Sequence, residues 1–362
     1  MRCVVVGAGI VGLAVARDLR SRGVEVVVVD RTGVGAGASG VQPGGVRQQW
    51  GTRVACRLAV ESVSFWREAD RRLSPRIPLT LRRGGYLFAA HSWATLERLE
   101  ANVRLQNDEG VPSQVVSPAE AAGLVPGLRV DELAGAAWCG DDGYFDRPQS
   151  VVEAFAAGID VQRLDVRSIE ATASGWRVEE LEADAVVVAA GTETRALLAP
   201  LGIDVPLVAE DRYLFLSDPI GERLLEPLVV APELAFAAKQ LSDGRVLASD
   251  LAARGDAAEG RARWRASIRR AIERLLPRLE YVSFSQLVPG VYDVTPDHQP
   301  ILGPVADGLF VACRFSGHGF MIAPAVARIT ADAVLGERDE VLDVLGLDRF
   351  AAGRLVPEPQ LV

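Results

Sequence analysis

Residues 3–12 read Cys3-Val4-Val5-Val6-Gly7-Ala8-Gly9-Ile10-Val11-Gly12, and the reading of this stretch decides the fold. The apolar run over 3–6 predicts a strand buried on both faces. Residues 10–22 then carry helical spacing through Ile10, Leu13, Ala14, Ala16 and Leu19, and residues 24–29 predict a second buried strand. Strand, helix and strand in this order make a βαβ unit. The glycines of its first turn differ in what they allow. Gly7 permits the tight turn, Gly9 lets backbone approach a pyrophosphate, and Gly12 lets the helix pack close to the sheet. At Ile10 and Val11 the helix start offers N–H groups and a positive dipole end to phosphates. Asp30, followed by Arg31, ends the second strand, where a carboxylate can accept from ribose hydroxyls. The unit alone leaves FAD and NAD both open. Its start at residue 2, and the later return of a second strand-and-glycine element over Ala185-Val186-Val187-Val188-Ala189-Ala190-Gly191-Thr192, favour FAD.

Composition narrows the class. The chain has 362 residues, 49% of them hydrophobic, enough for a large core and two domains. Its net charge of −9 comes from interspersed carboxylates and arginines, so the basic stripe of a nucleic-acid binder is missing and nucleic acid is not an expected partner. Lys239 is the single lysine. Cys3, Cys56, Cys139 and Cys313 are widely spaced and form no CxxC pair, which predicts reduced buried thiols and no metal site. The run ending Ala14-Val15-Ala16 has the outline of a leader, but glycines interrupt it and the βαβ unit absorbs it. No stretch approaches the ~18 apolar residues needed to cross a bilayer. The expected location is the cytoplasm, free or peripherally on a membrane.

Further segments share a pattern: Gly35-Ala36-Gly37-Ala38-Ser39-Gly40 running on to Gly44-Gly45-Val46-Arg47; Asp142-Gly143-Tyr144-Phe145-Asp146-Arg147-Pro148; Thr295-Pro296-Asp297-His298-Gln299-Pro300-Ile301-Leu302-Gly303-Pro304; and Phe315-Ser316-Gly317-His318-Gly319-Phe320. With these the chain resembles, nearly end to end, the D-amino-acid oxidase and sarcosine oxidase family of flavoproteins. In motif it is most similar to sarcosine oxidase beta-type and dye-linked proline dehydrogenase-type subunits. The resemblance implies an α/β (α+β) architecture: a Rossmann-like FAD-binding domain over 1–83, 141–205 and 291–362, threaded by a substrate-binding domain with an antiparallel sheet over 84–140 and 206–290. It also implies that Ala38, Ser39, Gly44, Gly45, Val46, Val166, Ala190, Gly191, Gly303, Arg314, Ser316, Gly317, His318, Gly319, Phe320 and Met321 contact FAD.

Pattern alone supports parts of this. A strand over 309–313 leads through a glycine-rich turn to an apolar helix from about Met321 to Leu335, so the turn's N–H groups favour an anion above them. In the second domain, strands are predicted over 85–89, 213–216 and 246–249, with helices over 93–108 and 257–275 and a short helix opened by the capping-box pattern Ser117-Pro118-Ala119-Glu120. The arginines of 261–272 read as a solvated helix face.

The resemblance predicts oxidation of the C–N bond of a D-amino acid, proline or sarcosine-type amine to an imine, with hydride passing to flavin N5 and electrons to oxygen or a quinone-like dye. It leaves homo- or hetero-oligomers open. Several family landmarks are absent. Gly290 stands where the covalent branch has its cysteine, so FAD is expected to be non-covalent. Tyr292 stands near the usual carboxylate-binding arginine, Met321 at a basic position, and Val246 where an oxygen-activating lysine aligns, which favours artificial acceptors over oxygen. Arg314, whose charge must find an anion or solvent, is the first candidate anchor for a substrate carboxylate, pairing with Asp293 or Asp297 being the alternative. Arg47 is the second candidate, with Trp50, Tyr213 and Tyr292 shaping the pocket. His318 is either an acid–base group or a histidine held by its turn. Beside amine oxidation stand a 2-hydroxy acid dehydrogenase, an assembly factor on a flavoprotein fold and an NAD-dependent dehydrogenase.

Overall fold

A computed structural model describes residues 1–359. Its six-stranded sheet runs in the order Ile301–Ala306, Leu309–Cys313, Ala185–Val188, Arg2–Val6, Glu25–Asp30, Asp160–Arg163. Neighbours are parallel except for the antiparallel pair of Ile301–Ala306 with Leu309–Cys313. Alternation along the first strand explains its unbroken apolar run. Cys3 and Val5 join one core with residues of the helices Ile10–Ser21, Arg53–Arg67 and Gly319–Val334, whereas Val4 and Val6 join a second core with Ile169, Trp176 and Val178.

The eight-stranded sheet runs Phe284–Val294, Val208–Ser217, Val246–Asp250, Phe236–Gln240, Leu228–Ala231, Tyr86–Ala90, Gly135–Cys139, Gln114–Val116. It is antiparallel except where Leu228–Ala231 lies parallel to Tyr86–Ala90, a departure from the all-antiparallel sheet expected. The helix Ala257–Leu275 covers one face through Trp264, Ile268, Ile272 and Leu275, leaving its arginines outside. Strands of the first sheet come from 2–30, 160–188 and 301–313 and those of the second from 86–139 and 208–294. Phe284–Val294, however, runs unbroken through the proposed boundary at 290/291.

The helices Trp93–Asp108 and Ala257–Leu275 fall where spacing puts them, capped by Ser92 and Asp256, and Ser117 and Glu120 form the reciprocal capping box. Two strands, Leu228–Ala231 and Phe236–Gln240, and the long Phe284–Val294 carry no clear period and were not expected. Pro289 and Gly290 argue against a strand in the sequence; the segment forms one because it lies at the sheet edge, where a missing N–H is tolerated.

Candidate active site

A cavity of about 850 Å³ opens between the two sheets. One end is walled by Gly7, Gly9, Ile10, Val11, Asp30 and Arg31, the other by Arg47, Tyr86, Lys239, Tyr292 and His318.

At the first end the βαβ turn is built as its glycines suggested. Gly7 has φ +114° and sits where a Cβ would lie 2.4 Å from the Ala189 carbonyl oxygen, and a Cβ on Gly12 would lie 2.0 Å from that of Gly7. Gly9 differs: its nearest neighbour would be the Ser39 hydroxyl at 3.2 Å, so the space in front of it is cavity. Asp30 has a structural role in this turn. Its carboxylate accepts the N–H of Ala8 (2.8 Å), Thr32 (2.8 Å) and Gly33 (2.8 Å), tying the glycine turn to the strand end. These bonds hold its pKa down against the opposing effect of burial. Ser39, from the second glycine-rich segment, accepts from Ile10 N–H at 3.0 Å.

At the other end Arg47 is 1% exposed, its guanidinium 3.9 Å above the Trp50 ring. Burial lowers its pKa, yet an arginine remains charged. The turn that aims it is fixed by Asp142, whose buried carboxylate accepts from Gln48 N (2.8 Å) and Gln49 Nε2 (3.0 Å). Burial pushes the Asp142 pKa up to about 6. Trp50 itself does not line the cavity; its indole donates to the Arg47 carbonyl at 3.1 Å and meets the His318 ring edge-on at 4.5 Å. His318 lines the cavity and is held neutral, its pKa far below the ordinary value through burial first and then Arg47, His298 and Arg212. Its Nε2 has no partner among the described residues.

Arg314 is not in the cavity wall. It is fully buried behind it with φ +63°, its Nη1 donating to the Gly191 carbonyl at 3.3 Å and its backbone N–H to the Asp293 carboxylate at 3.1 Å. Asp297 is taken by Arg349, at 2.8 and 3.0 Å. The guanidinium thus meets a backbone carbonyl and makes no ion pair with Asp293 or Asp297 among the described residues, only the backbone N–H of Arg314 reaching Asp293, and it stands outside the cavity wall where a substrate would be met. The left-handed Arg314, Ser316 and Gly317 coil the turn back on itself, with Ser316 N–H donating to the Asp293 carbonyl and His318 N–H to that of Phe315. Fewer N–H groups face the cavity than the turn promised.

Of the expected FAD contacts, Ala38, Ser39, Gly45, Val166, Ala190, Gly191, Gly317, Gly319, Phe320 and Met321 line the cavity with the βαβ residues, as do Tyr213 and Tyr292. Gly12, Gly44, Val46, Gly303 and Ser316 do not; Gly12 and Gly303 serve packing, against Gly7 and Leu342. Val246 is in the core under the eight-stranded sheet. The lysine that the cavity does hold, Lys239, was missed, because a lone lysine within Phe236–Gln240 carries no motif.

The shape of the cavity, a glycine-backed turn with a carboxylate at one end and a charged, aromatic chamber at the other, fits FAD. No group of three or more metal-ligating side chains occurs among the described residues, and no helix there is long and apolar enough to cross a membrane. The chain superposes on L-proline dehydrogenase from P. horikoshii with a TM-score of 0.90, at 25% identity over 98% of each chain. Among sequences it is similar to glycine oxidase of Pseudomonas aeruginosa, at 26% identity over 94% of this chain and 96% of the relative. It is also similar to D-amino acid dehydrogenase of Xylella fastidiosa, at 27% over 97% and 95%. The profile of the FAD dependent oxidoreductase family, DAO, matches residues 2–333, and the chain accordingly belongs to that family of flavoenzymes, whose members here act on amino acids and related amines.

Proposed function

We propose that this enzyme oxidises the C–N bond of a carboxylate-bearing amine, a secondary or D-amino acid, to the imine, with Arg47 as the carboxylate anchor. The observation that carries this is the buried guanidinium of Arg47 in the cavity wall, in company with Tyr86, Tyr292 and a neutral His318. A charge kept in so dry a place favours an anionic ligand, and the guanidinium fork suits a carboxylate. Bound FAD supplies the hydride acceptor; the protein's part is position and dryness. Tyr292, over whose ring the Arg212 guanidinium carbon sits at 4.8 Å, is a rigid wall that holds the substrate's carbon skeleton, whereas the Tyr213 ring, stacked on Trp264 at 4.2 Å, belongs to the core on the other face of the sheet.

Anaerobic bleaching of the flavin by a panel of D- and L-amino acids, proline, sarcosine and 2-hydroxy acids tests the reading. Bleaching by amino acids is the expected result; bleaching by hydroxy acids alone would replace it with the 2-hydroxy acid reading. The flavin is held without a covalent bond in this proposal, since Gly290 lines the cavity where a cysteine would be needed. Acid or heat precipitation should leave all the yellow colour in the supernatant, and colour in the pellet would contradict it.

A further inference from the structure

Oxidation of an amine needs the nitrogen lone pair, but an amino acid arrives at neutral pH as an ammonium. Something has to take that proton. We infer that Lys239 is the base that accepts it, an inference that rests on the amine-oxidising reading above.

Lys239 lines the cavity and is 0% exposed. Its Nζ donates to the Pro43 carbonyl, in the second glycine-rich segment, and lies 4.0 Å from the centre of the Tyr144 ring. The strand around it faces the same chamber through Ala237, and Leu247, opposite Lys239 in the sheet, lines it too. A buried ammonium needs a counter-charge, and Lys239 makes no ion pair among the described residues. The carboxylate that faces it, Asp146, is already bound to Arg82 at 2.6 Å and to Ser242 N–H at 3.0 Å. The Tyr144 hydroxyl is engaged too, donating to the Gln240 carbonyl at 2.6 Å and accepting from Arg223 at 3.0 Å. On the cavity side the titratable and charged groups that line the same end are Arg47, Tyr86, Arg212, Tyr292 and the neutral His318. Burial brings the Lys239 pKa down to about 7, which suits a base working at neutral pH. One N–H committed to Pro43 leaves a neutral amine with a lone pair to offer.

The step balances. The substrate N–H⁺ bond breaks and its proton moves to Lys239 Nζ, giving a neutral substrate amine and an ammonium. Bound FAD would accept the α-hydrogen as hydride as the α-C–H bond breaks, and the nitrogen lone pair forms the C=N bond, so the neutral amine becomes a protonated imine and its two-electron oxidation is balanced by two-electron reduction of the flavin. Lys239 returns its proton to solvent once the imine has left.

Lys239→Met provides the test, with FAD content and Tm as controls for folding. In the parent, kcat/KM for a bleaching amino acid should level off above about pH 7. In Lys239→Met the rise should move about two units alkaline, toward the free amine's own pKa, so that a loss of ~100-fold at pH 7 shrinks below ~3-fold at pH 10. A second readout uses 2-aminoisobutyrate, which has no α-hydrogen to lose. Its binding, followed by calorimetry in two buffers of different ionisation enthalpy, should release no proton from the parent and one from the variant. If Lys239→Met does not fold, Lys239→Arg keeps a donor for Pro43 but cannot give up its proton, and should show the same alkaline shift. An equal loss at every pH, or equal proton release by parent and variant, would reduce Lys239 to a structural role and overturn the inference. A parent that no amine bleaches would overturn the function as well.

Discussion

Gly9→Val is expected to yield a protein that folds and purifies without colour. The three glycines of the first turn are distinguishable by what stands in front of them. A side chain on Gly7 or Gly12 would strike backbone at 2.4 or 2.0 Å, so substitution there breaks the packing of helix on sheet and the fold with it. Gly9 has extended backbone, with φ −75° and ψ 174°, and only a serine hydroxyl nearby. A valine is therefore tolerated by the protein but fills the space that a pyrophosphate needs. Asp30→Ala should be milder, weakening FAD by ~1–3 kcal/mol as the N–H groups of Ala8, Thr32 and Gly33 lose their acceptor. The measurement is the ratio of flavin to protein absorbance beside circular dichroism. Normal flavin content in folded Gly9→Val would remove the cofactor from this end of the cavity.

Legibility followed local rules. The βαβ unit could be read because every determinant lies within thirty residues: a doubly buried strand, three glycines with separate roles and a terminal acid. The helices Trp93–Asp108 and Ala257–Leu275 could be read because their caps and periods are local too. The eight-stranded sheet could be read only in part: Tyr86–Ala90, Val208–Ser217 and Val246–Asp250 fall on predicted strands, but Leu228–Ala231 and Phe236–Gln240 are buried along most or all of their length and lose the alternation that marks a strand. Arg314 and Lys239 show the same limit at the site. Both are cations that must settle somewhere, but whether the chamber or a structural acid receives them depends on strands distant in sequence. Arg314 looked exposed to the flavin turn because it precedes it directly; its left-handed backbone turns the side chain back toward Gly191. Lys239 carried no signal beyond being the single lysine until the sheet placed it opposite Pro43.

That difference sets the outcome at the substrate end, where Arg47→Ala should raise KM for amino acids by ~10–100-fold, the loss of a charged hydrogen bond of about 1.5–3 kcal/mol, while FAD stays bound. The guanidinium carbon lies 3.9 Å from the centre of the Trp50 ring, and the turn of Arg47 is held by Asp142 through Gln48 and Gln49 and by the Trp50 indole. Its direction is therefore fixed before substrate arrives, and little ordering is left to be done on binding. Arg47→Lys keeps the charge but loses the fork, so its KM should fall between those of the parent and Arg47→Ala. An amine without a carboxylate serves as the control, because the same substitution should leave its KM nearly unchanged. Arg314→Ala, with its side chain behind the wall, should leave KM for amino acids at the parent value in whatever protein retains flavin. The reverse pattern, with KM raised in Arg314→Ala and untouched in flavin-loaded Arg47→Ala, would mean that the carboxylate is held from the Gly191 side of the cavity and that the chamber around Arg47 serves something else.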